Sequence, residues 1–143
     1  GGGNELDAYV SYDFGPLALT VTNYTFPDGD GTYSTGGFFE GDLEISASTE
    51  IGGLSLMGGY FPDLETLYIE AGFGLGAVDF AIGFGSDSAD AFYVGAGESA
   101  ICNVSFSYSK EIKITDDYSL PLFSSFILNP KSEGAFIVIG ASF

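Results

Sequence analysis

Histidine, tryptophan and arginine are absent from this chain of 143 residues, and cysteine occurs once. Without histidine there is no Ser-His-Asp triad and no ordinary zinc site. A single Cys102 excludes an internal disulfide and a cysteine metal cluster. Its neighbours Ile101, Asn103 and Val104 place it in a strand, as a small packed residue. Catalysis by carboxylates alone needs a defined pair, and none stands out among 20 acids spread along the chain. No enzyme is expected. Positive charge is almost missing too: Lys110, Lys113 and Lys131 face those 20 acids, for a net charge of −17. So few cations cannot neutralise a phosphate backbone or dock on an anionic bilayer surface, which excludes nucleic acid as a partner. Long apolar runs are lacking as well. None approaches the roughly 18–20 residues of a spanning helix. The opening Gly1-Gly2-Gly3-Asn4 does not act as a signal peptide, so the expectation is a mature form or a chain whose start is missing.

Apolar residues are nevertheless abundant, at 45% of the chain, with 14 Phe, 9 Tyr and 22 Gly. The mean hydropathy is +0.27. An apolar chain with no spanning helix belongs either to a β-core or to a β-barrel in lipid. Period-two alternation runs throughout, and no 3.6-residue stripe competes with it. It predicts one all-β domain over residues 1–143, with about nine strands near 5–14, 17–26, 39–51, 54–61, 65–74, 78–85, 100–114, 119–128 and 135–143. Most approach the roughly 9–11 residues with which a tilted strand crosses a bilayer; soluble strands average nearer 5–6.

The two faces differ in chemistry. Leu6, Ala8 and Val10 oppose Asp7, Tyr9 and Ser11, and Leu43, Ile45 and Ala47 oppose Asp42, Glu44 and Ser46. Leu67, Ile69 and Ala71 oppose Tyr68, Glu70 and Gly72, and Val78, Phe80 and Ile82 oppose Asp79, Ala81 and Gly83. One face is apolar; the other is acidic, hydroxylic or glycine. The outer face of a soluble sandwich usually carries cations as well, whereas small residues suit a crowded barrel interior.

Connections alternate in length. Gly15-Pro16, Gly52-Gly53, Leu75-Gly76-Ala77 and the Thr115–Tyr118 segment are tight turns. Those over 27–37, 62–64, 86–99 and 129–134 include the long ones. Short turns at one end and long loops at the other is the layout of outer-membrane barrels. The expected fold is therefore an antiparallel up-and-down meander forming a transmembrane β-barrel. Single-chain bacterial barrels have even strand numbers, so nine strands imply a larger barrel, completed by a missing N-terminal segment or by another chain.

Within such a barrel Asp7, Asp13, Asp42, Glu44, Glu70 and Asp79 would line the lumen. Unpaired carboxylates cannot stay charged in a dry interior, so they imply water or cations and a passive cation-preferring, porin-like pore. A barrel plugged by its own side chains, with a structural or surface role, is the competing expectation. Asp28 and Asp30, in Asp28-Gly29-Asp30-Gly31, partly match a calcium loop, but the acid due at its twelfth position is displaced to Glu40. No other cofactor is expected. Phe14, Tyr24, Phe26, Tyr60, Phe61 and Phe123 lie near strand ends, where aromatic girdles form.

The tail adds a resemblance. Ala135, Ile137, Ile139, Ala141 and Phe143 alternate up to a final aromatic, and this resembles the signal read by the barrel-assembly machinery, which is thereby an expected partner besides outer-membrane lipid. Glu5 to Tyr12, Val21 to Pro27 and Ser109 to Asp116 are similar to stretches of a family of small Gram-negative outer-membrane proteins of uncharacterised function. That resemblance implies a barrel fold and a bacterial outer-membrane location, and no activity. The alternative is a secreted or cell-surface acidic β-sandwich that binds ligands or self-assembles through its edge strands.

Overall fold

The computed structural model describes residues 6–26, 41–88 and 92–142. Nine strands follow one another: β1 (Leu6–Asp13), β2 (Leu17–Thr25), β3 (Asp42–Ile51), β4 (Leu54–Phe61), β5 (Thr66–Leu75), β6 (Val78–Asp87), β7 (Ser99–Lys113), β8 (Ser119–Asn129) and β9 (Gly134–Ala141). They form a single sheet in sequence order, with every neighbouring pair antiparallel. This is the expected up-and-down meander, and the expected strands match it to within one to three residues at most ends.

Glycine shapes the tight turns. Gly52 and Gly53 have φ of 60° and 83°, as a two-residue type I′ turn requires between β3 and β4. Gly76, with φ 66°, takes the first central position between β5 and β6, where a type II′ turn needs it. At the other end of the sheet Glu65 and Glu133 also adopt positive φ, 49° and 56°. A non-glycine side chain is strained in that region. The β7–β8 hairpin projects beyond its neighbours, because β6 begins at Val78 opposite Tyr108 and Ser109–Lys113 pair with β8 alone.

These nine strands do not close into a barrel by themselves. β1 pairs only with β2 and β9 only with β8, so the sheet is open along both edges. The reason is one of parity. In an antiparallel meander the first and ninth strands run the same way, and they cannot join each other in the antiparallel pairing that the other eight contacts share. Nor is there a sandwich. Strands touch only their sequence neighbours, with no second sheet packed across either face among the described residues.

The two faces are sheltered unequally, and in the reverse of a soluble protein. Among the described residues the buried apolar set is only Phe61, Val94 and Cys102. On the polar face Thr22, Thr66 and Asp87 are buried, as are Gly59, Gly72, Gly83 and Gly85, while Thr25, opposite Leu6, is buried on the apolar face. Meanwhile the alternating apolar residues of β2 to β9 stay open, among them Val21, Ile45, Ile69, Phe84 and Phe106. Ile137 is 73% exposed and Ile139 79%. A face this apolar and this open needs a cover.

Candidate functional site

The pairing register decides which side chains share the polar face. Asp7 stands opposite Tyr24, which stands opposite Asp42. Ser46 leads to Gly59 and then to Tyr68. Glu70 meets Gly83, and Gly74 meets Asp79. Two-residue periodicity along each strand then puts Asp7, Asp13, Asp42, Glu44, Glu70 and Asp79 all on this one face. They are spread rather than clustered. Asp7 and Asp42 lie towards the long-loop end, Glu70 at mid-strand, and Asp13 and Asp79 beside the short turns. The same register adds three acids that alternation had not singled out: Glu50, Asp87 and Glu111.

Two of the acids are held by tyrosines. The Tyr24 hydroxyl donates to Glu44 Oε2 at 2.7 Å. The Tyr68 hydroxyl donates to Glu70 Oε2, and Asn103 Nδ2 reaches the same carboxylate oxygen at 2.7 Å and the Tyr68 hydroxyl oxygen at 3.2 Å. Asn103 Oδ1 is buried with no partner among the described residues. Glycines make these arrangements possible. Gly83 lies under the Tyr68 phenol and Gly59 under the Glu44 carboxylate, and a Cβ at either would collide with the group above it. On this face glycine supplies space for a large neighbour.

Asp87 does something different. Its Oδ2 accepts four consecutive backbone N–H groups, from Phe92 (3.0 Å), Tyr93 (2.8 Å), Val94 (2.7 Å) and Gly95 (3.0 Å). Its Oδ1 accepts from the Thr66 hydroxyl at 3.2 Å, and its own N–H donates to Glu98 O. The residue is 2% exposed. Four converging amide dipoles do for a carboxylate what a cationic side chain would otherwise do. The clamp folds the loop between β6 and β7 back over the polar face. There Tyr93 stacks on Tyr68 at 5.0 Å between ring centroids and Phe92 lies 5.0 Å from Phe61. Val94 and Tyr93 close over Gly85, beside the Cys102 sulfur. Burial pushes the Tyr93 phenol above its ordinary value, with the Glu44 carboxylate adding to the shift. Lys131 pairs with Glu98 and ties the β8–β9 connection to the same loop.

Cys102 is indeed a small buried strand residue. It is also the extra residue of a β-bulge: Gly83 pairs with Asn103 while Phe84 pairs with Ile101. Its sulfur reaches Gly83 O at 4.0 Å.

Two sequence expectations are corrected on this face. Of the six girdle aromatics, Tyr24, Phe61 and Phe123 belong to the polar face by register, so they cannot ring a lipid boundary. Phe61 is 3% exposed. Tyr60 alone of the six is a strand residue on the apolar face, with Phe14 and Phe26 just outside their strands. The polar face is also not polar throughout. Phe123, Ile127, Phe136 and Val138 occupy it on β8 and β9, where both faces are apolar.

The remaining sites are simply located. Ala135, Ile137, Ile139 and Ala141 share the exposed apolar face of β9. Phe143, Asp28 and Asp30 lie outside the described residues, within which no group of three or more His, Cys, Asp or Glu is placed to hold a metal ion. No described helix is long and apolar enough to cross a membrane, which says nothing of crossing by strands. Comparison with protein-family models, with curated proteins and with solved structures finds no match.

Proposed function

We propose that this sheet is part of the wall of an outer-membrane β-barrel, with its apolar face against lipid and its acidic face lining a water-filled, cation-preferring lumen. The observation that carries this reading is the inverted burial. Ile137 and Ile139 stand open on one face while Thr66, at 0% exposure, and Asp87 are enclosed on the other. Lipid can cover an apolar face of eight- to fifteen-residue strands without any second protein layer. Edge parity supports the same reading: closing the sheet antiparallel needs an odd number of further strands, from another segment or another chain.

Cation preference follows from the register. Nine acids share the lumen side, whereas Lys131 is engaged by Glu98 and Lys113 by Asp116. The Asp87-clamped loop narrows that lumen at the long-loop end. A small barrel that its own side chains fill differs from this reading only in conductance.

Partition and conduction test the two halves separately. The protein is expected to fractionate with outer membranes and to need detergent for dispersion. In planar bilayers, a salt gradient is expected to give a reversal potential of cation-selective sign. Free solubility without detergent would remove the lipid-facing assignment and restore a secreted, self-associating sheet. Silence, or anion selectivity, in a membrane-inserted sample would remove the pore alone.

A further inference from the structure

At the long-loop end of the polar face, the clamped loop and the strand ends form a half-open cavity of about 150 Å³. Its walls are Tyr24, Phe26, Phe61, Phe92 and Tyr93, with one acid, Asp42. The rings form a chain of contacts, with Tyr24 to Phe61 at 5.6 Å, Phe61 to Phe92 at 5.0 Å and Phe92 to Tyr93 edge-on at 4.8 Å. We propose that this cavity binds a small organic cation of the quaternary-ammonium type, with the methylated head against the ring faces and Asp42 supplying the counter-charge.

Three features fix the ligand class. Five of the six lining residues are aromatic, and an aromatic ring attracts a weakly hydrated cation through the negative quadrupole of its face. The hydrogen bond from Tyr24 to Glu44 Oε2 leaves that phenol more electron-rich and holds its ring in place. Asp42 has no ion pair or hydrogen-bond partner among the described residues, and none of the three lysines lines the cavity. A neutral apolar guest would leave that carboxylate uncompensated. A hard metal ion would find one carboxylate where it needs about six oxygens or more. Size agrees: a cavity of roughly 150 Å³ holds a guest such as benzene, close in bulk to tetramethylammonium. Lysine and arginine side chains on a partner share the charge but arrive on a long stem, and competition separates them.

This inference uses the polar face and does not require that a barrel conducts. The test is direct binding to the full chain, in an uncharged sugar detergent or in plain buffer, whichever keeps it dispersed. With no tryptophan in the chain, tyrosine emission is the readout, and Tyr24 and Tyr93, two of the nine tyrosines, line the cavity. Choline is expected to bind saturably, and its uncharged carbon isostere 3,3-dimethylbutan-1-ol to bind about tenfold more weakly or not at all. Asp42→Asn and Phe92→Leu are each expected to weaken choline by about fivefold or more. Asp117→Asn, which removes the same charge from an exposed turn at the opposite end, should leave choline binding unchanged. Equal binding of choline and its isostere would overturn the proposal, as would no choline binding to a protein whose far-ultraviolet spectrum is that of a folded sheet. An equal loss in Asp42→Asn and Asp117→Asn would overturn it too, by reducing the effect to net charge. Competition by free lysine at equal strength would replace the quaternary head with a protein side chain. None of these outcomes depends on membrane insertion, so this proposal and the barrel reading can fail independently.

Discussion

The polar face over β3 to β6 and the same face over β8 and β9 are built on opposite plans. Over β3 to β6 it alternates acid, hydroxyl and glycine, with the Glu44 carboxylate laid across Gly59 and the Tyr68 phenol across Gly83. Over β8 and β9 it carries Phe123, Ile127, Phe136 and Val138, with the Phe123 ring resting on Gly140. Both regions have the same strand pairing and the same apolar residues on the other side. Backbone geometry alone therefore does not set what this face is for. The first region is organised by hydrogen bonds to carboxylates and shelters water-compatible groups; the second offers a greasy strip beside an unpaired edge. In a closed wall that strip would meet whatever strands complete the sheet.

Four substitutions, one of them paired with a control on the opposite face, sharpen this contrast, the largest effect first. Asp87→Ala removes the acceptor of four amides, and leaving them unpaired should cost about 4 kcal/mol, with hydrogen exchange of the Phe92 to Gly95 amides speeding up before any global change. The β8–β9 connection has its own acceptor, Asn129 Oδ1, which takes the Lys131 and Ser132 N–H groups at 3.0 Å each, so its amides should keep their protection. Ile137→Arg puts a charge on the exposed apolar face. If lipid covers it, the protein in vesicles loses about 3 kcal/mol, whereas Val138→Arg on the opposite face costs much less. Equal costs at the two positions would mean that the faces do not differ in environment. Gly83→Val drives a side chain into the space that Tyr68 occupies and should cost about 2 kcal/mol by denaturant titration. Smallest is Glu65→Gly, which relieves the positive φ before β5 and should raise the unfolding midpoint by the equivalent of about 0.5–1 kcal/mol.

Much of this could be read from the chain before any coordinates. Alternation with a clear contrast, as in Leu43-Glu44-Ile45-Ser46, fixes both a strand and its faces, and register then had no freedom to scatter the six acids. The strands misjudged at their ends were those whose signal fades there. β6 runs on to Asp87 because Ser86 and Asp87, read as loop formers, still pair with Ser99 and Thr66. Among the described residues Asp87 is the acid with the most hydrogen bonds, and alternation does not mark it for that role. Its role depends on main-chain donors from a loop, which carry no sequence signature. The bulge did leave a trace: Ile101 and Val104, both on the apolar face, are three residues apart instead of two. The aromatic cavity was obscured because Tyr24, Phe26 and Phe61, separated by up to 37 positions, look like boundary residues until register brings them together.

The clamp at Asp87 has a consequence for what this protein can become. A chain with three lysines has almost no cationic side chains with which to pin an acidic loop, and it uses peptide dipoles in their place. Every amino acid except proline carries that donor. The clamp itself asks of Phe92, Tyr93 and Val94 only that none be proline, while Gly95, at φ 130°, must also stay glycine. What the Phe92, Tyr93 and Val94 side chains pack against is a separate constraint, and the anchorage does not depend on it. Exchanging the Phe92 or Tyr93 ring would therefore change the contacts at this end of the sheet while the clamp on Asp87 keeps its four donors.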